Sequence, residues 1–149
     1  MTDVYNLQRF VEAQEGVIES VLAELRQGRK TSHWMWFIFP QLRGLGFSST
    51  AQFYGIASLA EARSYLDHPL LGPRLVECTL IVTSIEDHSL RQVFGTPDDL
   101  KFRSSMTLFA QAASQNAIFL EALNKFCGGI FDPATMDRLG ANRDQSGGR

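Results

Sequence analysis

The chain has 149 residues, 44% apolar and 20% charged, with 11 Phe, 2 Trp and 3 Tyr; that balance excludes a disordered chain and leaves room for one core rather than two. Net charge is −2, and the one basic cluster is Arg26, Arg29 and Lys30. This argues against general nucleic-acid binding but not against a small phosphorylated ligand, which needs only a few cations.

Leu7, Phe10, Val11, Gln14, Val17, Ile18, Val21, Leu22 and Leu25 recur at steps of three and four, which predicts one long amphipathic helix over about 6–27. Asn6 or Asp3 can cap its start, and Gly28 can take the left-handed conformation that ends it. The run Trp34-Met35-Trp36-Phe37-Ile38-Phe39 is short and uniformly apolar, and reads as a buried strand or an extended wall ended by Pro40. Ser49 with Gln52, Ser58 with Glu61, and Ser89 with Gln92 are candidate capping boxes. Pro69 opens a helix carrying Leu71, Leu75, Cys78, Val82 and Ile85. Thr96-Pro97-Asp98-Asp99 is the strongest helix start, and the helix runs to about Ala113. Another spans roughly 116–126 and stops at Gly128-Gly129, and Asp132-Pro133 opens a last one through Leu139. The expectation is a mainly α chain, a single multihelical domain over 1–140 with at most a minor strand pair near 34–39, and a flexible tail over 141–149.

Cys78 and Cys127 lie in apolar surroundings and read as thiols rather than as a disulfide. The N-terminus lacks the regions of a signal peptide, and no apolar run approaches the roughly 18 residues of a membrane span. The expectation is a cytoplasmic protein without membrane contact. No phosphate-loop, dinucleotide-binding, zinc-protease or serine-hydrolase motif occurs. His33, His68 and His88 are spaced too widely for a local metal site, so neither metal nor cofactor is expected.

Three sets of polar residues stand out from their apolar surroundings. His33, Trp34, Trp36 and Gln41 fit a stacking wall with an amide that reads a ring edge; the plainer reading is a core wall. Tyr54, Arg63, His68 and Arg74 form the second set. His68-Pro69 sits where backbone N–H groups point outward, which suits a phosphate or carboxylate, although His68 equally suits a helix cap and Arg63 a pair with Glu61 or Asp67. Asp99, Lys101, Arg103, Ser104, Ser105 and Thr107 form the third. A lysine and hydroxyls near a helix start suit sugar or phosphate oxygens, while capping alone explains Asp99 and close packing alone explains the serines.

Several long motifs occur in order: Gly28 to Gln41, Phe53-Tyr54-Gly55-Ile56, Tyr65 to Arg74, Phe94 to Lys101 and Arg103 to Phe109. Together they resemble the bacterial family of unknown function DUF1810, from about Asn6 to Leu139. Ser49 to Tyr54 and Lys101-Phe102 also resemble, more distantly, two helix starts of the NADAR superfamily. That resemblance implies a YbiA-like, mostly helical fold and action on N-glycosidic bonds of ADP-ribose derivatives or riboflavin-pathway intermediates. Thr50 stands where those enzymes carry an acid, so Glu77 or Asp99 would have to supply the carboxylate. On this reading Trp34, Trp36 or Tyr54 stacks on the base, and Arg63, Arg74 or Lys101 holds phosphate. Asp99 or Glu77 orients water, and His33 or His68 moves the proton. The competing readings are a non-catalytic module that binds a nucleotide-like ligand or a protein, and a purely structural domain. Exposed aromatic surface would equally fit a homo-oligomer contact.

Overall fold

The computed structural model describes residues 3–146, with side chains for 3–140. Its elements are α1 (Gln8–Gln14), α2 (Ile18–Arg26), α3 (Met35–Ile38), α4 (Ser49–Tyr54), α5 (Leu59–Asp67), α6 (Leu71–Ser84), α7 (Leu90–Phe94), α8 (Asp98–Ala112), α9 (Ala117–Cys127) and α10 (Pro133–Ser146). Among the described residues no sheet forms, and the one strand-like feature is a parallel bridge between Leu42 and Ile56. None of the helices is long and apolar enough to cross a membrane.

The periodic stretch at the N-terminus is two helices rather than one, because the chain turns at Gly16, where φ is +82°. Asp3 caps the first, its carboxylate accepting from the Leu7 and Gln8 amides at 2.7 and 2.8 Å. Gly28 ends the second as expected. Its amide donates to Leu25 O at 2.9 Å and that of Arg29 to Glu24 O at 3.0 Å, the paired closure that a left-handed residue permits.

The predicted strand near 34–39 does not form: Met35–Ile38 is a helical turn, α3. Six apolar residues carry no periodicity that separates strand from buried helix. The turn puts Trp34, Met35, Ile38 and Phe39 into the core and leaves Trp36 and Phe37 half-buried. Ser48, not Ser49, caps α4, accepting from the Ala51 amide at 3.1 Å. Ser58 caps α5 and Ser89 caps α7 as read, the latter in a complete capping box with Gln92. Thr96 does not cap α8; the helix starts after Pro97, with both aspartates in its first turn. Asp132 Oδ2 caps α10, accepting from Thr135 N–H at 3.0 Å and its hydroxyl at 2.6 Å. That helix continues to Ser146 instead of stopping near Leu139, and positions 147–149 of the expected tail lie outside the described residues.

The chain closes around α8, which packs against α5, α7, α9 and α10. Phe102, Met106 and Phe109 are fully buried along it. Phe102 meets Phe39 at 5.0 Å and Phe94 at 5.1 Å between ring centroids, an aromatic cluster that fixes α3 and α7 on α8. Cys78 is buried and Cys127 half-buried, and both are free thiols.

Candidate functional site

The first-turn residues of α8 face α3 across a groove that the 41–46 loop closes on one side. The loop is held by the bridge: Ile56 N–H donates to Gln41 O at 2.8 Å and Arg43 N–H to Ile56 O at 2.7 Å. Trp36, Gln41, Leu45, Lys101, Ser104 and Asp132 line a cavity of about 250 Å³ there. Tyr54 stands beside it, lining with Trp36 and Gln41 a crevice of about 10 Å³ that is too small for a ligand.

Three charges organise the groove. The Lys101 ammonium lies 3.6 Å from the centroid of the Trp36 ring and 3.2 Å from Asp98 Oδ1. Lys30 Nζ meets Asp98 Oδ2 at 2.9 Å and is only 8% exposed. Burial pushes the Asp98 carboxyl up, but hydrogen bonds and charge from Lys30 and Lys101 outweigh it, so the group titrates below its ordinary value. In the sequence Lys30 belongs to the one basic cluster, with Arg26 and Arg29. Its backbone amide, however, donates to Val93 O at 2.7 Å, which turns the side chain onto α8.

Residues 4–139 match the family model described as a protein of unknown function, DUF1810. The chain belongs to that family. The DUF1810 chain is also similar, at 55% identity and a TM-score of 0.92, to the crystal structure of the conserved hypothetical protein Rv1873 from Mycobacterium tuberculosis, over 93% of this chain and 99% of that one. No curated protein matches.

Of the other residues singled out from the sequence of this DUF1810 member, none joins the groove. Trp34 is core, and its indole N–H donates to Glu24 Oε1 at 2.9 Å. His33 is exposed on the turn before it. Asp99 points to another side of α8, toward a cavity with Arg91, Arg103 and Cys127, and its Oδ1 is buried without a hydrogen bond. Glu77 pairs with Arg26 at 3.4 Å on the exposed face of α6. His68 Nδ1 accepts from the Leu70 and Leu71 amides at 3.1 and 3.3 Å, capping α6. Arg74 donates to Gln14 Oε1 at 3.2 Å. Arg63 lines a separate cavity at the far end of α8. Ser105 is fully buried, next to the groove-lining Ser104, whose Oγ–H donates back to Leu100 O at 3.2 Å.

Two buried acids have structural work that the sequence reading missed. Glu24 accepts from Thr31 N–H (2.7 Å), Ser32 N–H (3.0 Å), Ser32 Oγ–H (2.6 Å) and the Trp34 indole. Burial raises its carboxyl, but these bonds prevail and bring it to about 2. Glu61 pairs with Arg9 at 2.8 Å, both nearly fully buried, while Arg9 also donates to the carbonyls of Tyr5, Asn6, Phe53 and Gly55. Glu24 was detectable, since it falls three residues after Val21 on the apolar stripe, where an acid needs a partner.

Proposed function

We propose that the cavity between α3, α8 and the 41–46 loop binds a small, planar, negatively charged ligand of the nucleotide type, and that binding rather than chemistry is its basic task. The observation that carries this is Lys101, lying on the face of Trp36 while it shares Asp98 with Lys30. A flat ring entering the cavity takes the Trp36 face, and Lys101 moves to the ligand's anionic group. Lys30 stays on Asp98, so the carboxylate is never left unpaired, which would otherwise be costly at its depth. Gln41 and Ser104 supply an amide and a hydroxyl for ring or sugar edges. At about 250 Å³ the cavity lies just under the roughly 300–1,000 Å³ of ordinary ligand pockets, which suits one base with part of its sugar.

Titration calorimetry with nicotinamide mononucleotide and nicotinamide riboside tests this reading. The phosphate form binds roughly tenfold tighter or more, and Lys101→Met removes that difference. Equal affinity for the two, or no binding of either, would contradict it.

Hydrolysis of an N-glycosidic bond is a second reading, favoured by Asp132. It is the acidic residue lining this cavity; Thr135 holds its Oδ2 and Thr107 Oγ1 holds its backbone amide at 2.9 Å, which leaves Oδ1 to act. A carboxylate so held can orient water or stabilise an oxocarbenium ion. Release of free base from ADP-ribose derivatives, followed by mass-resolved chromatography and abolished in Asp132→Asn, is the outcome this reading expects.

A further inference from the structure

Where α5, α6, α8 and α9 meet, they leave a hollow of about 660 Å³ that shares no lining residue with the Trp36 cavity. Arg63 and Asp67 stand on one wall, one helical turn apart on α5. Neither forms an ion pair among the described residues. The partners expected for Arg63 are both spent or out of reach: Glu61 is turned to Arg9, and Asp67 lies beyond ion-pair distance. An arginine one turn before an acid is the weaker order for a helical pair. Arg63, which lines the hollow, instead crosses to α8, where its Nε–H donates to Ala112 O at 3.3 Å, and its terminal nitrogens have no partner among the described residues. Asp67 is the last residue of α5, where the helix dipole disfavours a negative charge and a cation would relieve it. The hollow therefore offers an unspent guanidinium fork and an unspent carboxylate about one turn apart, over a floor of Val76, Ile118 and Phe119.

We propose that this hollow is a second ligand site, for a free α-amino acid with an apolar side chain. Arg63 takes the carboxylate with its two terminal nitrogens. Asp67 takes the ammonium, and the side chain lies on the apolar floor. The volume falls inside the usual range of small-molecule sites and leaves room for a branched side chain. Because both charges are solvent-facing, affinity is weak and selectivity comes from needing both ends at once.

The test is an amide NMR titration with L-leucine, L-leucinamide, which lacks the carboxylate, and N-acetyl-L-leucine, which lacks the ammonium. L-leucine shifts the amides of residues 63–67 and 114–119, and each analogue binds roughly fivefold more weakly. Arg63→Gln lowers L-leucine to the level of leucinamide, and Asp67→Asn lowers it to that of N-acetyl-leucine, with the amide spectrum of each free variant showing the native fold. Equal binding of all three compounds, shifts confined to other residues, or no shift at tens of millimolar L-leucine would each overturn the proposal.

Discussion

Glu24 shows how much one buried carboxylate can organise. Its two oxygens hold the 31–34 turn that delivers Trp34 to the core and Trp36 to the groove. Glu24→Ala strands two backbone amides and an indole N–H, and is expected to cost about 3 kcal/mol in chemical denaturation; Glu24→Gln keeps the acceptor Oε1 and costs about 1 kcal/mol. The same bonds give a pH dependence of definite sign. The folded carboxyl titrates near 2 against an ordinary 4.5, so its contribution is fully present above 4.5 and is lost as pH falls toward 2. Denaturation midpoints recorded across that window fall in the wild type and are flatter in Glu24→Gln. The Arg9–Glu61 pair is also buried, and Arg9→Met leaves the Glu61 carboxyl buried without its cation. A loss of about 3–5 kcal/mol is expected by thermal or urea unfolding.

At the scale of elements, what the sequence made legible was local chemistry. Ser58, Ser89, Asp132 and Gly28 act where they were read, because a cap depends on its next three or four residues and little else. The split of the first helix and the helical turn at Met35–Ile38 depend on what packs around them, which periodicity does not record. Close crossing was also invisible. A Cβ on Gly72 would stand 2.0 Å from the Leu66 carbonyl oxygen, so α5 and α6 meet backbone to backbone at that point. Gly72→Ala is expected to cost roughly 3 kcal/mol or to prevent folding, read by circular dichroism melting. The site was half legible for the same reason. Trp36, Gln41, Lys101 and Ser104, drawn from separate stretches, do converge on one cavity. Asp98, three residues before Lys101, is its neighbour on the helix surface, whereas Asp99 lies about 100° further round α8; what that spacing does not record is Lys30, which reaches the same carboxylate from a distant stretch.

Across the whole molecule, the bundle puts its polar groups to two uses. Glu24, Arg9, Glu61, Gln14 and Arg74 tie the helices together from inside. Lys30, Asp98 and Lys101 form a set at the edge of the core with one positive charge in excess, one lysine nearly buried and the other over an aromatic face. The functional account rests on that asymmetry, with Lys30 as the fixed cation and Lys101 as the exchangeable one. Proton NMR of the Lys101 ε-methylene tests it most directly, because a position over the indole shifts those protons upfield. The account predicts a strong upfield shift in the free protein, which returns to an ordinary lysine value on saturation with nicotinamide mononucleotide. An upfield shift that persists at saturation, or a spectrum that nicotinamide mononucleotide leaves unchanged, would contradict it.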